Sequence, residues 1–103
     1  MKLHVRRAAV SDMAAIRAHD VATWGHDRTL AFLDGLFEKF QRLLEMPRMG
    51  RPREAVAAGP RSLRYSGYQI FYVIKGGRVV IVATYHERRN LAALNMADRL
   101  AGL

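Results

Sequence analysis

The sequence predicts an α+β fold in which two antiparallel helices pack on one face of a mostly antiparallel sheet. Three observations lead to this prediction. Strand-like alternation occurs at the N-terminus and again between positions 61 and 85. The segment between them has the 3.6-residue periodicity of helices. The pair Gly76-Gly77 divides the second strand region, as a tight hairpin turn requires. The expected order is β-α-α-β-β-β, with four strands in the sheet.

The first strand and the first helix are predicted within the first 25 residues. Residues 2–7 alternate between apolar and charged side chains and indicate a short strand. Ser11 and Asp12 are typical of helix starts, so the first helix is expected from Asp12 to Trp24 and ends at Gly25.

The second helix is expected from Arg28 to Glu45, with Asp27 as its cap. A Gly-His-Asp turn would join the two helices in an antiparallel hairpin. Pro47 ends the second helix, and residues 47–60, which hold all three prolines, are expected to form a loop. The apolar stripe of this helix consists of Leu30, Leu33, Leu36, Phe37, Phe40, Leu43 and Leu44.

Three further strands are predicted at 61–65, 68–75 and 78–85. The strand at 68–75 is apolar on both faces and should therefore be central in the sheet. The sheet face away from the helices needs either a partner or solvent. The tail at 91–103 is expected to add a short amphipathic helix, with its apolar side made by Leu91, Leu94 and Leu100.

Length and composition set the class of protein. A chain of 103 residues, half of them apolar, fits one folded domain over 1–103. Cysteine is absent, which excludes a disulfide framework and a thiolate metal site. No apolar run reaches the roughly 20 residues of a membrane span, and no apolar stretch follows the charged N-terminus as in a secretory signal. The expected location is therefore the cytoplasm, without contact to a membrane.

The charge of the chain indicates anionic partners. Its formal net charge is +8, and most of the cations are arginines. Such a balance favours nucleic acid or an acidic protein as a partner, and the arginine fork pairs with carboxylate or phosphate through two hydrogen bonds. Six arginines stand against two glutamates between positions 42 and 64. The alternative interpretation of this basic segment is a solvated loop with scattered charge.

Several short segments, none specific alone, occur in an order and spacing typical of one family. They are Asp12-Met13 with Ile16, Trp24-Gly25, Phe32-Leu33, Leu36-Phe37, Phe40, Leu43, Pro47, Gly50-Arg51-Pro52-Arg53, Gly59-Pro60-Arg61-Ser62-Leu63, Ile70-Phe71-Tyr72 and Tyr85-His86-Glu87-Arg88-Arg89-Asn90-Leu91. Together they resemble the ParE/RelE toxin superfamily over nearly the whole chain. The Gly-Arg-Pro-Arg and His-Glu-Arg-Arg pieces favour the ParE-like branch.

This resemblance implies a toxin of a type II toxin–antitoxin system. Its partner would be a ParD-like antitoxin whose C-terminal segment wraps the toxin, and higher-order toxin–antitoxin complexes are expected. ParE members poison DNA gyrase acting on DNA, whereas RelE members cut messenger RNA on the ribosome. The resemblance implies no cofactor. The four histidines have no metal-ligand spacing, so no metal site is expected either.

The residues favour the gyrase inhibitor over the ribonuclease. RNA cleavage needs groups that activate the 2′-hydroxyl and stabilise the phosphorane. Where a RelE-like segment has an active-site arginine, this chain has Gln69, and no tyrosine follows Tyr85. The chain is thus expected to be an inhibitor rather than an enzyme. If it is RelE-like, the catalytic candidates are Arg88, His86 and either Arg61 or Lys75.

The residues expected to bind the target or the antitoxin are the arginines of the basic segment and of the end of the last strand. They are Arg51, Arg53, Arg61, Arg64, Arg88 and Arg89. A further alternative is that the chain has lost toxicity and survives as a binding module.

Overall fold

A computed structural model of the chain describes residues 1–54, 59–87 and 96–103. These ranges contain β1 (Lys2–Val5), α1 (Arg7–Trp24), α2 (His26–Glu45), β2 (Arg51–Pro52), β3 (Arg61–Tyr65), β4 (Tyr68–Lys75), β5 (Arg78–His86) and α3 (Met96–Leu100). The strand order is β1-β5-β4-β3-β2, in which β1 is parallel to β5 and the other neighbours are antiparallel. The predicted α+β class, the central place of β4 and the mostly antiparallel sheet are confirmed.

The predicted number of four strands is wrong, because the described residues form five. Within the expected loop, Arg51 pairs with Ser62 and Pro52 pairs with Arg61, which makes β2 a short edge strand. A proline is tolerated there because an edge strand has one side on which no ladder hydrogen bond is needed. The prolines of this segment are typical of a loop, but pairing with β3 makes Arg51 and Pro52 a strand.

Helix α1 begins at Arg7, five residues before the predicted start. Arg6 is extended, and its N–H donates to the carbonyl of Ile81, so the chain passes directly from β1 into the helix. No side chain caps this end. Asp12 therefore lies within the helix, where its carboxylate is free to make tertiary contacts instead of a cap.

Helix α2 begins at His26 rather than at Arg28. Gly25 is the one residue between the two helices, and its φ of 85° lies in the region that favours glycine. Asp27 was predicted to cap the helix. It lies instead in the first turn, where its charge is favourable at the positive end of the helix dipole.

The main core lies between the helical hairpin and one face of the sheet. Leu36, Phe40 and Leu43 of α2 are fully buried against Tyr72 of β4 and its neighbours. The predicted stripe of α2 is wider than its buried face. Leu30 and Phe37 belong to that stripe but are 53% and 51% exposed.

A second, smaller apolar cluster lies on the opposite face of the sheet. We call it the helix-free face because the long helices α1 and α2 do not cover it, although the short α3 packs against part of it. Residues of β4 and β5 pack there against α3 and the tail. The register changes between Phe71 and Tyr72, opposite Ala83 and Ile81, which leaves Val82 as the extra residue of a β-bulge. The predicted tail helix thus exists as α3, while Leu91 and Leu94 lie outside the described residues.

Candidate functional site

The positive charge of the chain belongs to the sheet and its connections, not to the helical hairpin. Helices α1 and α2 hold five basic and six acidic residues, whereas the rest of the chain holds twelve basic and three acidic residues. A surface that binds an anion through electrostatic attraction is therefore expected away from the hairpin.

Three of the predicted arginines gather beside one groove at the β2–β3 edge of the helix-free face. Leu63 of β3 packs toward the helices, so its neighbour in the alternation, Arg64, projects to the other face. Arg51 pairs with Ser62 across the same edge. The groove, of about 340 Å³, is lined by Arg51, Ser62, Leu63, Arg64, Gln69 and Glu87. We call it the β3 groove.

Arg53 is fixed beside the β3 groove by two contacts. Its Nη1 donates to the Oγ of Ser62 at 2.9 Å, and its guanidinium carbon lies 5.5 Å from the centroid of the Phe71 ring. Phe71 is fully buried, so the guanidinium covers an apolar surface while it keeps further N–H groups for another partner. A cation held in this way loses little side-chain entropy when it binds.

Arg64 forms an exposed ion pair in the same groove. Its Nε lies 2.7 Å from Oε2 of Glu87, and its Nη2 donates to Oε1 at 3.0 Å. The Arg64 side chain is 69% exposed, and such surface pairs stabilise a fold by about 0–1 kcal/mol. An anion from a partner can therefore compete with Glu87 at little cost. Within the described ranges, neither Arg51 nor Arg53 forms an ion pair.

Arg61 does not belong to this group, because it projects from the opposite face of β3. Its Nη1 donates to the carbonyl of Gly50 at 2.8 Å and to that of Arg48 at 3.3 Å. It thereby supports the turn before β2. Of the other predicted binding residues, Arg88 and Arg89 lie outside the described residues.

Tyr72 fixes the same turn from inside the core. Its hydroxyl donates to the carbonyl of Pro47 at 2.7 Å and accepts from the N–H of Gly50 at 2.9 Å. Burial raises the pKa of Tyr72, while the Gly50 hydrogen bond and the nearby charge of Arg61 act against that shift. The backbone that leads into β2 and the β3 groove is therefore attached to the core.

Those residues of the ribonuclease alternative that the structure describes are not brought together. His86 ends β5 opposite Tyr68, and its ring meets the Tyr68 ring edge-on at 5.3 Å. Strand rise and spacing place the Cα atoms of His86 and Arg61 roughly 16 Å apart. Lys75 lies at the other end of β4 and is still farther from His86. Groups that act on one phosphodiester must be within hydrogen-bond reach of it. Arg88, the fourth candidate, lies outside the described residues.

An ion pair that the sequence did not predict closes the open edge of β5. Beyond Ile81, β1 no longer pairs with β5. There Asp12 accepts the N–H of Thr84 at 3.0 Å and binds Arg99 through both carboxylate oxygens, at 2.7 and 3.0 Å. Arg99 also donates to the carbonyl of Val82 at 3.2 Å. The hydrogen bonds from Asp12 raise the pKa of Arg99. The Asp12–Arg99 ion pair thus joins α1, β5 and α3.

Helix α2 presents an apolar strip to the surroundings. Leu30 and Phe37 are both about half exposed, and they lie two turns apart on the same side of the helix. Trp24, at the end of α1, is 38% exposed and lies 4.7 Å from the guanidinium carbon of Arg28. The strip is of the kind that an amphipathic helix of a partner covers.

The part of the chain that the structure describes offers neither a metal site nor a membrane-spanning helix. It contains no group of three or more histidine, aspartate or glutamate side chains placed to hold a metal ion. Nor does any of its helices combine the length and the apolar character that crossing a membrane requires.

Comparison with known proteins gives concordant matches. Residues 3–91 match the family model of the ParE toxin of the type II toxin–antitoxin system, parDE. Toxin ParE1 of Caulobacter vibrioides is 29% identical over 87 residues, which are 84% of this chain and 90% of that protein. Toxin ParE3 of the same organism is 36% identical over 63 residues, or 61% of this chain and 63% of that protein.

A solved structure, described as the chromosomal ParDE toxin–antitoxin system from P. aeruginosa, has a similar fold. Its TM-score is 0.74 at 24% identity, over 84% of this chain and 95% of that one. At this identity the likeness concerns the fold alone. The family match, in contrast, spans α1, α2 and all of β2 through β5.

Proposed function

The chain belongs to the ParE toxin family of type II toxin–antitoxin systems, and on this premise we propose that it inhibits DNA gyrase in the cytoplasm and is neutralised by a ParD-like antitoxin. The observation that carries the proposal is the family match over residues 3–91. The match to Toxin ParE1 over 90% of that protein's length supports it.

The distribution of charge supports inhibition by binding rather than by catalysis. The β3 groove and Arg53 offer fixed cations with N–H groups free for a partner, as binding to a phosphate or a carboxylate requires. Arg61, in contrast, uses its guanidinium to hold the carbonyls of Gly50 and Arg48, and its Cα lies roughly 16 Å from that of His86, which disfavours joint action on one bond. We therefore infer that the toxin acts on gyrase and its bound DNA as a binding partner, without a catalytic residue of its own.

Two surfaces suit the proposed antitoxin. The apolar strip at Leu30 and Phe37 would anchor an amphipathic segment, and the arginines of the β3 groove would receive its carboxylates. Fixed apolar anchors govern how slowly such a complex dissociates, while charges at its rim govern how fast it forms. Added salt should therefore slow association more than it speeds dissociation.

The proposal is tested by titrating the protein into a plasmid supercoiling assay with purified DNA gyrase. Ribosome-bound messenger RNA serves as a parallel substrate. We expect lost supercoiling, with cleaved plasmid trapped on gyrase and the message intact. Adding the product of a neighbouring antitoxin gene should restore supercoiling. Unaffected gyrase with cleaved message would overturn the proposal in favour of the ribonuclease, and Arg88→Ala would then test its active site. No effect on either substrate would contradict toxicity itself.

Matched variants connect the assay to the β3 groove. The change Arg51→Ala with Arg53→Ala removes two cations that have no ion-pair partner in the described residues. Each lost contact to an anion should weaken inhibition roughly 10- to 150-fold, since charge-assisted hydrogen bonds contribute roughly 1.5–3 kcal/mol. Arg17→Ala, which removes an exposed arginine of α1, is the control and should inhibit as well as the original chain. Equal losses in both variants would exclude a specific role for the groove.

A further inference from the structure

A second group of basic residues surrounds a partly enclosed cavity at the other end of the helix-free face. The cavity has a volume of about 220 Å³ and is lined by His4, Arg6, Lys75, Arg78, Val80, Gly102 and Leu103. The lining brings three basic side chains, those of Arg6, Lys75 and Arg78, against no acidic side chain and the one main-chain carboxylate of Leu103. None of the arginines proposed for the target or the antitoxin is among them. We call this space the Arg6 cavity.

Strand pairing brings these basic residues together from distant parts of the chain. Lys75 pairs with Arg78 across the Gly76-Gly77 hairpin, and the parallel pairing of β1 places His4 opposite Val80. Val80 packs in the cluster on the helix-free face, so the side chains in register with it project to that face. The sheet thus holds several positive groups around one space, against their mutual repulsion.

The Arg6 side chain has a buried N–H group without an acceptor, which indicates that an anion binds nearby. Its backbone is fixed on both sides, since its N–H donates to Ile81 and its carbonyl accepts from Val10. Its Nη1 is buried, yet no hydrogen-bond acceptor for it exists among the described residues. An unpaired buried donor is unfavourable, and more so when it is charged. An anion in the adjoining cavity would lower the cost of holding this charged, unpaired group, and it would offset the repulsion between the basic side chains.

We propose that the Arg6 cavity is a phosphate-binding site, which takes either a free phosphate ion or one phosphate group of a nucleic-acid backbone. A phosphate offers acceptor oxygens in several directions, which suits cations that approach from Arg6, between β1 and α1, and from β4 and β5. The start of α1 lies one residue after Arg6, so the positive end of that helix dipole adds to the field. The site does not depend on gyrase as the target.

The test is calorimetric titration of the whole chain with inorganic phosphate at constant ionic strength. Saturable binding of one phosphate is expected. Arg6→Gln should weaken it at least tenfold, and so should Lys75→Ala combined with Arg78→Ala. The latter variant changes only exposed side chains, so it remains informative if Arg6→Gln does not fold. Arg17→Ala on α1 is the matched control and should bind phosphate within twofold of the original chain. No saturable binding, or equal losses in the control, would overturn the proposal.

Two further arms identify the source of the phosphate. Acetate at the same ionic strength should bind at least tenfold more weakly, and equal binding would overturn the proposal in favour of a carboxylate site for an acidic peptide. A short single-stranded DNA, followed by fluorescence anisotropy, assigns the site to a nucleic-acid backbone if phosphate competes with it and Arg6→Gln weakens it. If the DNA binds equally to that variant, the site is one for free phosphate.

Discussion

Replacing Asp12 by alanine should strongly destabilise the fold, because one carboxylate joins α1, β5 and α3. The change leaves the N–H of Thr84 without its acceptor, which costs about 1–3 kcal/mol. It also removes both bonds to Arg99. Breaking a fully buried pair costs about 3–5 kcal/mol, but the Arg99 and Asp12 side chains are 21% and 13% exposed, and Arg99 keeps its bond to Val82. Solvent screening reduces this contribution to about 1–2 kcal/mol.

The expected loss for Asp12→Ala is therefore about 2–5 kcal/mol in the free energy of unfolding. For a domain of this size it lowers Tm by at least about 10 °C. Urea and thermal unfolding followed by circular dichroism measure it. Asp12→Asn is the control, since its amide oxygen still accepts from Thr84 while the charge is lost, and about half of the effect should remain. A double-mutant cycle with Arg99→Ala should give a coupling of at least about 1 kcal/mol. A loss below about 0.5 kcal/mol, or additive single changes, would refute the reasoning.

Three other variants or conditions test the turn, the core and the apolar strip. Gly50→Ala should destabilise by more than about 2 kcal/mol in urea unfolding, because a Cβ there would lie 2.5 Å from the Tyr72 hydroxyl and 2.8 Å from the backbone oxygen of Ser62. Burial raises the pKa of Tyr65 and Tyr72, so their contribution to stability is complete below pH about 10 and is lost as pH rises above it. Unfolding measured between pH 8 and pH 11 should show this decline, and Tyr65→Phe should reduce it. Phe37→Ser should weaken antitoxin binding at least tenfold in calorimetry, while it lowers stability by only about 0.5–2 kcal/mol, because the ring is half exposed and meets the buried Phe40 ring edge-on at 5.9 Å.

The sequence predicted those elements whose pattern is local. The strand at 68–75, the hairpin at Gly76-Gly77 and the core of α2 follow from periodicity and turn chemistry alone. The start of α1 could not be predicted in this way, because a hydrogen bond from Arg6 to a strand 75 positions later sets it. The edge strand β2 has the same explanation, since pairing with β3 overrides what its proline indicates.

The sequence predicts which arginines are near one another only in part, and the reason is geometric. Arg53 and Arg64 do lie together at the β3 groove, but Arg61 was grouped with them because it is near in sequence. An odd spacing of three along one strand places Arg61 and Arg64 on opposite faces, so strand alternation separates what the charge pattern joins. The Arg6 cavity could not be predicted from the sequence, for the opposite reason. Parallel pairing of β1 with β5 joins positions that no local pattern connects.

The segregation of charge from apolar surface bears on how a toxin of this family could be neutralised. The apolar strip lies on α2, while the β3 groove and the Arg6 cavity lie at two ends of the helix-free face. A short antitoxin segment that covers the strip would leave at least one basic end accessible. Neutralisation by direct cover of the target-binding arginines then requires a segment that reaches from the strip to the β3 groove, and a longer segment would also cross the sheet to the Arg6 cavity. One measurement distinguishes the two lengths: phosphate binding at the Arg6 cavity persists in the complex if the segment ends at the β3 groove, and it is lost if the segment crosses the sheet.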